Sequence, residues 1–278
     1  TASVVEGITN NDYFGELASF GDSVRIILEP EIAVSAYTRG QTVTSEALPD
    51  NEITIQIDKA NKFQFQIDDI EDKLAHVNWE QMASSSATYS LKNAYDREVL
   101  TFMSTGSQVD NIVNDAATHT AAALDANAVV LGHGAGEVDP LNLLSLLSLK
   151  LDEAEVPEEG RYVVISPRFM ELLARTDSKL LSTDYNQGEG GLKNGLVMQG
   201  KLRGFSLYKT NNAPKYLSGD GDIIIAGHMS AVAAVSCIDK MEKIRSETTF
   251  ADIVRGLHVY GRAIIRPESL ATAYVKYA

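Results

Sequence analysis

Apolar and polar positions along this chain keep two different rhythms. From Asn51 they alternate: Ile53, Ile55 and Ile57 stand between polar neighbours, and after Asp58-Lys59-Ala60-Asn61-Lys62 the alternation resumes at Phe63, Phe65 and Ile67. A period of two marks a strand with one covered face, so the pattern predicts two strands joined by a tight polar loop at 58–62. Such a hairpin is marginal in water and has to lie against something else. The rhythm then changes. Between Ile67 and Thr105 there is neither Gly nor Pro, and Leu91, Tyr95, Val99 and Phe102 recur at helical spacing on one face. The first half is weaker, with Leu74, Val77 and Met82 preceding Ser84-Ser85-Ser86. One long helix is predicted, with Asp68 or Asp69 as its cap, Glu71 and Asp72 at the positive end of its dipole and Gly106 as its stop. At 1.5 Å per residue it spans about 50 Å, more than a compact domain of this size needs, and it reads as a spine shared by several subassemblies.

Beyond the spine, strand and helix alternate. A small-residue helix over 116–123 leads to a strand at 128–131, the loop Gly132-His133-Gly134-Ala135-Gly136 and an apolar helix over 141–151. Arg161-Tyr162-Val163-Val164-Ile165 reads as a buried strand, and a short helix follows Ser166-Pro167. Gln187-Gly188-Glu189-Gly190-Gly191 is a loop, after which strands are predicted around 205–208, 223–226 and 232–237. Near the C-terminus Leu257, Val259, Gly261, Ala263 and Ile265 share one strand face, and His258, Tyr260, Arg262 and Ile264 share the other. Arg266-Pro267 ends that strand, and 271–277 reads as one more. Residues 1–45, with Tyr13, Phe14, Leu17, Phe20 and the apolar patch from Val24 to Leu28, sustain neither period and read as an extended arm.

Composition narrows the classes. The 278 residues, 44% of them hydrophobic, suit one large domain or two intertwined ones. Lys and Arg number 24 against 38 Asp and Glu, for a net charge of −14. The charge is uneven: residues 238–278 hold seven basic side chains against five acidic, so they carry +2 and the remainder −16. Acidic surface repels phosphate, which argues against a sequence-reading nucleic-acid-binding protein. No apolar run approaches the roughly 20 residues that cross a bilayer. The first residues also lack the basic-then-apolar build of a signal peptide. Cys237 is the only cysteine, so there is no intrachain disulfide and no thiolate cluster.

Candidate chemistry is sparse. The glycine loop at Gly132 follows an apolar strand as a nucleotide-binding turn does. Glu137, however, stands where the dinucleotide fingerprint needs its third glycine, and the phosphate-loop pattern fails too. It reads as a plain turn. His76, His119, His133, His228 and His258 are scattered without a His-Glu-x-x-His pairing, and His119 with Asp115 reads as a solvated pair. The carboxylates Asp68, Asp69, Glu71 and Asp72 are accounted for by the helix start. Cys237 in an apolar strand reads as inert core, and no Gly-x-Ser-x-Gly elbow occurs. No catalytic, cofactor-binding or metal-ligating residue is identified, no cofactor is expected, and the chain is not read as an enzyme.

The order of parts is more informative than any single site. The run from Ser246 to Leu270 begins with Ser246-Glu247-Thr248-Thr249-Phe250-Ala251-Asp252 and passes through a long strand to Arg266-Pro267-Glu268-Ser269. It resembles the closing pattern of the major capsid (coat) proteins of tailed double-stranded DNA bacteriophages, which have the Hong Kong 97 fold. Phe65-Gln66-Ile67-Asp68-Asp69-Ile70 is similar to that family's lead-in to its spine helix. Pro157 to Pro167 resembles its Pro-x-x-Gly-Arg-x-Val-Val-x-Ser-Pro segment, and Gly204-Phe205-Ser206-Leu207-Tyr208-Lys209-Thr210-Asn211-Asn212 resembles the strand before its Asn-Asn turn. Together these cover nearly the whole chain in the right order.

The resemblance implies an α+β capsid subunit: an N-terminal arm at 1–33, an extended β-hairpin loop at 34–67, a peripheral domain at 68–127 with 238–278, and an axial domain at 128–237. It implies self-assembly into pentamers and hexamers of an icosahedral virion shell around double-stranded DNA, bound without sequence specificity. Scaffold, portal and decoration or cement proteins are the further partners it implies. No membrane is involved, and assembly takes place in the host cytoplasm. Arg39, Lys59, Lys62, Arg255, Arg262 and Arg266 are the candidate inter-subunit contacts. The arginines pair either with the acidic bulk of neighbours or with carboxylates of their own chain. In the founding member of the family an asparagine of the closing segment joins a loop lysine covalently. The matching position here is Gly256, so Lys59 and Lys62 lack that partner and no such crosslink is expected. An encapsulin-like nanocompartment is the alternative within the fold, and a small-molecule-binding α/β enzyme the alternative from another class.

Overall fold

The structure, a computed structural model, describes residues 3–10, 21–27, 36, 39–40, 52–68, 79–113, 128–134, 136–174, 202–216 and 220–278. Its elements in chain order are the one-turn helix α1 (Val5–Ile8), β1 (Ser23–Ile27), β2 (Glu52–Asp68), the spine helix α2 (Trp79–Ser104), β3 (Ile112–Val113) and β4 (Val129–Leu131). Then follow α3 (Pro140–Glu153), β5 (Arg161–Ile165), α4 (Pro167–Leu173), β6 (Ser206–Lys209), β7 (Lys215–Tyr216), β8 (Gly221–His228), β9 (Val232–Arg245), β10 (Ala251–Ile264) and β11 (Leu270–Tyr277). They build two sheets.

The larger sheet has the order β3-β11-β8-β5-β6, with β4 on β11 and β7 on β8. It is covered on both faces, which is why its strands read as unbroken apolar runs. Val163, Ile165, Ile224, Ala226, Ala273 and Val275 point to one side, against Leu143, Leu144, Leu147 and Leu151 of α3 and Phe169 and Leu173 of α4. Tyr162, Val164, Ile223, Ile225 and Tyr274 point to the other, against Tyr95, Val99, Leu100 and Met103 of α2. Helix starts are set by side chains: the Asp139 carboxylate accepts from the Leu141 N–H at 2.8 Å, and the Ser166 hydroxyl accepts from the Phe169 N–H at 3.2 Å. A proline follows each cap at the first helical position, where its missing N–H costs nothing.

The smaller sheet, β1-β2-β10-β9, is antiparallel throughout. Its neighbouring strands β9 and β10 continue β8 and β11 across short turns at 229–231 and 265–269, so the chain passes from one sheet to the other and back side by side. At that joint Ala231 O receives the N–H groups of both Ile265 and Arg266.

Three expectations are corrected. Residues 58–62 are not a turn: β2 is one strand of 17 residues, and the arms that lie antiparallel before the spine are β1 and β2, Val24 facing Ile55 and Ile26 facing Ile53. The alternation held its parity from Ile57 through Lys59 and Asn61 to Phe63, and with no Gly or Pro there the backbone had no reason to turn. Ile67 and Asp68 belong to that strand, Asp68 facing Ala251, so Asp68 is not the helix cap. β9 runs to Arg245 instead of stopping near 237, because pairing with β10 carries it through polar sequence. The first half of the spine before Trp79, the small-residue helix at 116–123 and the glycine loop at 187–191 lie outside the described residues.

Within the segment read as an arm, residues 3–10 dock on their own chain. Val5 and Ile8 are fully buried in the cluster of α2. Asp96, itself buried, accepts from the Ser3 hydroxyl and, at 3.2 Å, from the Val4 N–H.

Candidate assembly interface

The ribbon of β2, β10 and β9 is anchored at one end and open at the other. Two bulges mark the change. Along β2 the register passes from Tyr260↔Lys59 to Gly261↔Ile57, leaving Asp58 as the extra residue, and along β9 it passes from Leu257↔Lys240 to His258↔Ile238. Register partners share a face, so the bulge at Asp58 re-aims the side chains of β2. Before it, Ile55 and Ile57 join Ala233, Val235, Val259 and Ala263 in a buried cluster. After it, Asn61, Phe63 and Phe65 lie on the face of His258, Gly256 and Val254. Gly261 allows the crossing: a Cβ there would stand 2.4 Å from the Gln56 carbonyl oxygen.

At the anchored end the spine and the ribbon are joined by polar and aromatic groups. The Tyr260 hydroxyl donates to the Glu98 carboxylate, and Arg262 pairs with the same carboxylate at 2.8 Å while its guanidinium lies 4.7 Å over the Phe102 ring. His258 stacks on Tyr260 at 5.6 Å and meets Tyr95 edge-on at 5.7 Å. Burial holds its imidazole below the usual pKa.

At the open end side chains are exposed. Met241, Ile244 and Phe250 are exposed apolar residues, Phe250 at 81%. Phe63 stacks on Phe65 at 6.2 Å and covers Gly256, where a Cβ would stand 2.3 Å from the Phe63 ring. A position that the resemblance associates with a crosslinking asparagine is therefore occupied by a neighbour's ring.

The candidate contact residues separate into two groups. Arg255 holds the Glu242 carboxylate at 2.6 and 2.9 Å, and Arg262 is tied to Glu98 as above, so both make ion pairs within the chain. Arg266 precedes the turn of Pro267–Ser269 and is engaged through its N–H at Ala231. Lys59 and Lys62 have no ion pair among the described residues, and Arg39 is exposed in a turn. The exposed apolar residues of the ribbon tip escaped sequence reasoning, because Met241, Ile244 and Phe250 follow no period.

The remaining candidates behave as structure. The Glu137 carboxylate accepts from the Gly134 N–H at 2.7 Å, filling the place an anion would take in the glycine turn. His133 sits 3.3 Å from the Asp139 carboxylate and 3.2 Å from the Leu172 carbonyl. Cys237 is half-buried against the ribbon's cluster. Among the described residues no three His, Cys, Asp or Glu side chains gather as a metal site, and no helix is long and apolar enough to cross a membrane.

The spine helix lies between a two-faced sheet and a ribbon whose far end exposes apolar side chains. The profile described as "Gp10A-like: Major capsid protein" matches residues 30–253, and the chain belongs to that family. Among solved structures it is similar to one from Mycobacterium phage Che8, with 26% identity and a TM-score of 0.73 over 98% of this chain and 91% of that one. The capsid of cyanophage P-SCSP1u shares the fold at 17% identity and a TM-score of 0.67, covering 100% and 88% of the two chains. The capsid of Ralstonia phage GP4 does so at 10% identity and 0.68, covering 99% and 91%. No curated protein matches the chain significantly. The protein is thus a structural capsid subunit of the Hong Kong 97 fold, and neither the nanocompartment nor the enzyme alternative is favoured.

Proposed function

We propose that this subunit assembles into pentamers and hexamers that close an icosahedral head around double-stranded DNA, without sequence-specific binding and without a catalytic step of its own. Assembly in the host cytoplasm, a portal, a scaffold and decoration or cement proteins complete this reading. The supporting observation is the ribbon, whose exposed apolar tip is what a monomer would avoid and a shell would cover. The division into arm (1–33), extended loop (34–67), peripheral domain (68–127 with 238–278) and axial domain (128–237) follows from the same reading. So does the assignment of Arg39, Lys59, Lys62, Arg255, Arg262 and Arg266 to inter-subunit contacts. For Arg255 and Arg262 the contact would be made by ion pairs that already exist within the chain, presented as units. The net charge of −14 suits a lining that holds phosphate without trapping it.

Electron microscopy and sedimentation of the purified chain test this function. Closed particles with pentameric and hexameric units are expected, and a monomer or dimer under all conditions would refute it. Nuclease-protected DNA in native particles distinguishes a phage head from an empty or protein-filled compartment.

A further inference from the structure

The face of the ribbon that carries Leu257 presents, beyond the bulges, the cross-strand rows Lys62–Leu257–Lys240, Gln64–Arg255–Glu242 and Gln66–Ile253–Ile244. Arg255 is neutralised by Glu242. Lys62 and Lys240 are exposed and make no ion pair among the described residues. They flank the half-buried Leu257 two strand spacings apart, about 10 Å. An apolar centre between two exposed cations is an unusual surface in a chain of net charge −14.

The turn between α3 and β5 has the complementary composition. It reads Asp152-Glu153-Ala154-Glu155-Val156-Pro157-Glu158-Glu159. Arg161 takes Asp152 at 2.7 Å and Lys150 takes Glu153 at 3.2 Å, whereas Glu155, Glu158 and Glu159 are exposed and have no ion pair among the described residues. The backbone that presents them is fixed. Glu155 sits in the left-handed region at φ 56°, and the Val156 N–H reaches back to the Leu151 carbonyl at 3.0 Å. Arg161, its side chain 2% exposed, donates to the carbonyls of Val156 at 2.5 Å and Pro157 at 3.0 Å. Glu155 and Glu158 lie on either side of Pro157, three residues apart and so at most about 10 Å in backbone reach. That is within reach of the two lysines, whose strands stand about 10 Å apart.

We infer that these two surfaces meet between copies of the chain: the Lys62–Leu257–Lys240 row of one copy receives the Glu155–Glu159 turn of the next, Pro157 on Leu257 and the carboxylates on the lysines. The inference rests on the shell reading and names the segment of the neighbour that covers the ribbon. The contact joins two different patches, so it propagates from copy to copy and closes only in a ring or a shell. Being electrostatic and exposed at its rim, it weakens as salt rises.

Charge reversal in both directions tests it. The pairs Lys62→Glu with Lys240→Glu, and Glu155→Lys with Glu158→Lys, are each expected to lower particle yield at low salt by roughly tenfold or more, and the quadruple variant to restore it. Should a reversal pair misfold, as judged by circular dichroism, Leu257→Cys with Pro157→Cys in a Cys237→Ser background gives a second readout. Oxidised particles should then yield covalent multimers on a non-reducing denaturing gel. Wild-type particles accompanied by neither loss and rescue nor multimers overturn the contact while leaving the shell intact. Absence of particles from the wild-type chain overturns the shell reading, and the contact falls with it.

Discussion

The large sheet and the ribbon answer the same problem, the covering of apolar strands, in opposite ways. All five residues of β5 are buried, because α3 and α4 cover one face of the sheet and α2 the other. On β9, Val232–Val235 are buried while residues 240–245 are exposed, although the strand is hydrogen-bonded to β10 along its length. Among the described residues, backbone pairing carries the ribbon on beyond the point where side chains cover it. The first region is a finished core. The second is half of one.

This contrast can be broken or sharpened by substitution. The largest effect is expected in the finished core: Leu144→Ala, fully buried under the large sheet, should cost the subunit about 2–5 kcal/mol in chemical denaturation. A cost below 1 kcal/mol, measured the same way, would show the sheet to be less completely covered than described. Next comes Gly256→Asn, whose Cβ collides with Phe63. A loss of about 1–3 kcal/mol is expected. It should come without covalent multimers on a denaturing gel of boiled particles, for the wild type as for the variant. A ladder from wild-type particles would contradict the assignment of Gly256 to packing.

A smaller effect concerns pH. Burial lowers the His258 pKa from its ordinary 6.5, so the folded chain takes up this proton less readily than the unfolded one. The contribution of His258 is complete above the unfolded pKa and is lost as pH falls below it toward the folded value. Urea unfolding at successive pH values should therefore show a downward slope below about 6.5 that is reduced in His258→Phe. An identical slope in the two proteins would remove His258 from the joint. The smallest effect is expected for Arg255→Ala, whose pair with Glu242 is solvent-exposed on both sides. Subunit stability should change by less than about 1 kcal/mol, and a larger change would mean that the open end is structured from within.

The same contrast explains what was legible in the sequence. Where one chain covers its own strands, pattern and structure agree: the buried run Arg161–Ile165, the apolar helix α3 and the two faces of β10, with Leu257, Val259 and Ala263 on one cluster and Tyr260 and Ile264 on another. The second half of the spine was equally readable, since Tyr95 and Val99 are buried at the predicted spacing. Where the polar run 58–62 suggests a turn, the strand continues through a bulge at Asp58 that inverts its face without disturbing the alternation. Ile57 and Phe63 have the same parity in sequence and point to opposite sides in space. The far end of β9 follows no period, because its residues 240–245 are exposed and no described residue buries them. The candidate contacts followed the same rule. Sign of charge is visible in the sequence, whereas the distinction between arginines paired within the chain and lysines with no ion pair among the described residues needs coordinates.

The ring of Phe63 over Gly256 also constrains the history available to this subunit. Positions 63 and 256 are 193 residues apart in sequence, yet they are coupled: a side chain gained at 256 requires the Phe63 ring to move aside or to be replaced by a smaller group. Substitutions at the two sites are therefore epistatic. A reactive side chain gained at position 256 is therefore expected to be better tolerated once the aromatic ring at position 63 has been lost, and the difference is set by the space between the two strands.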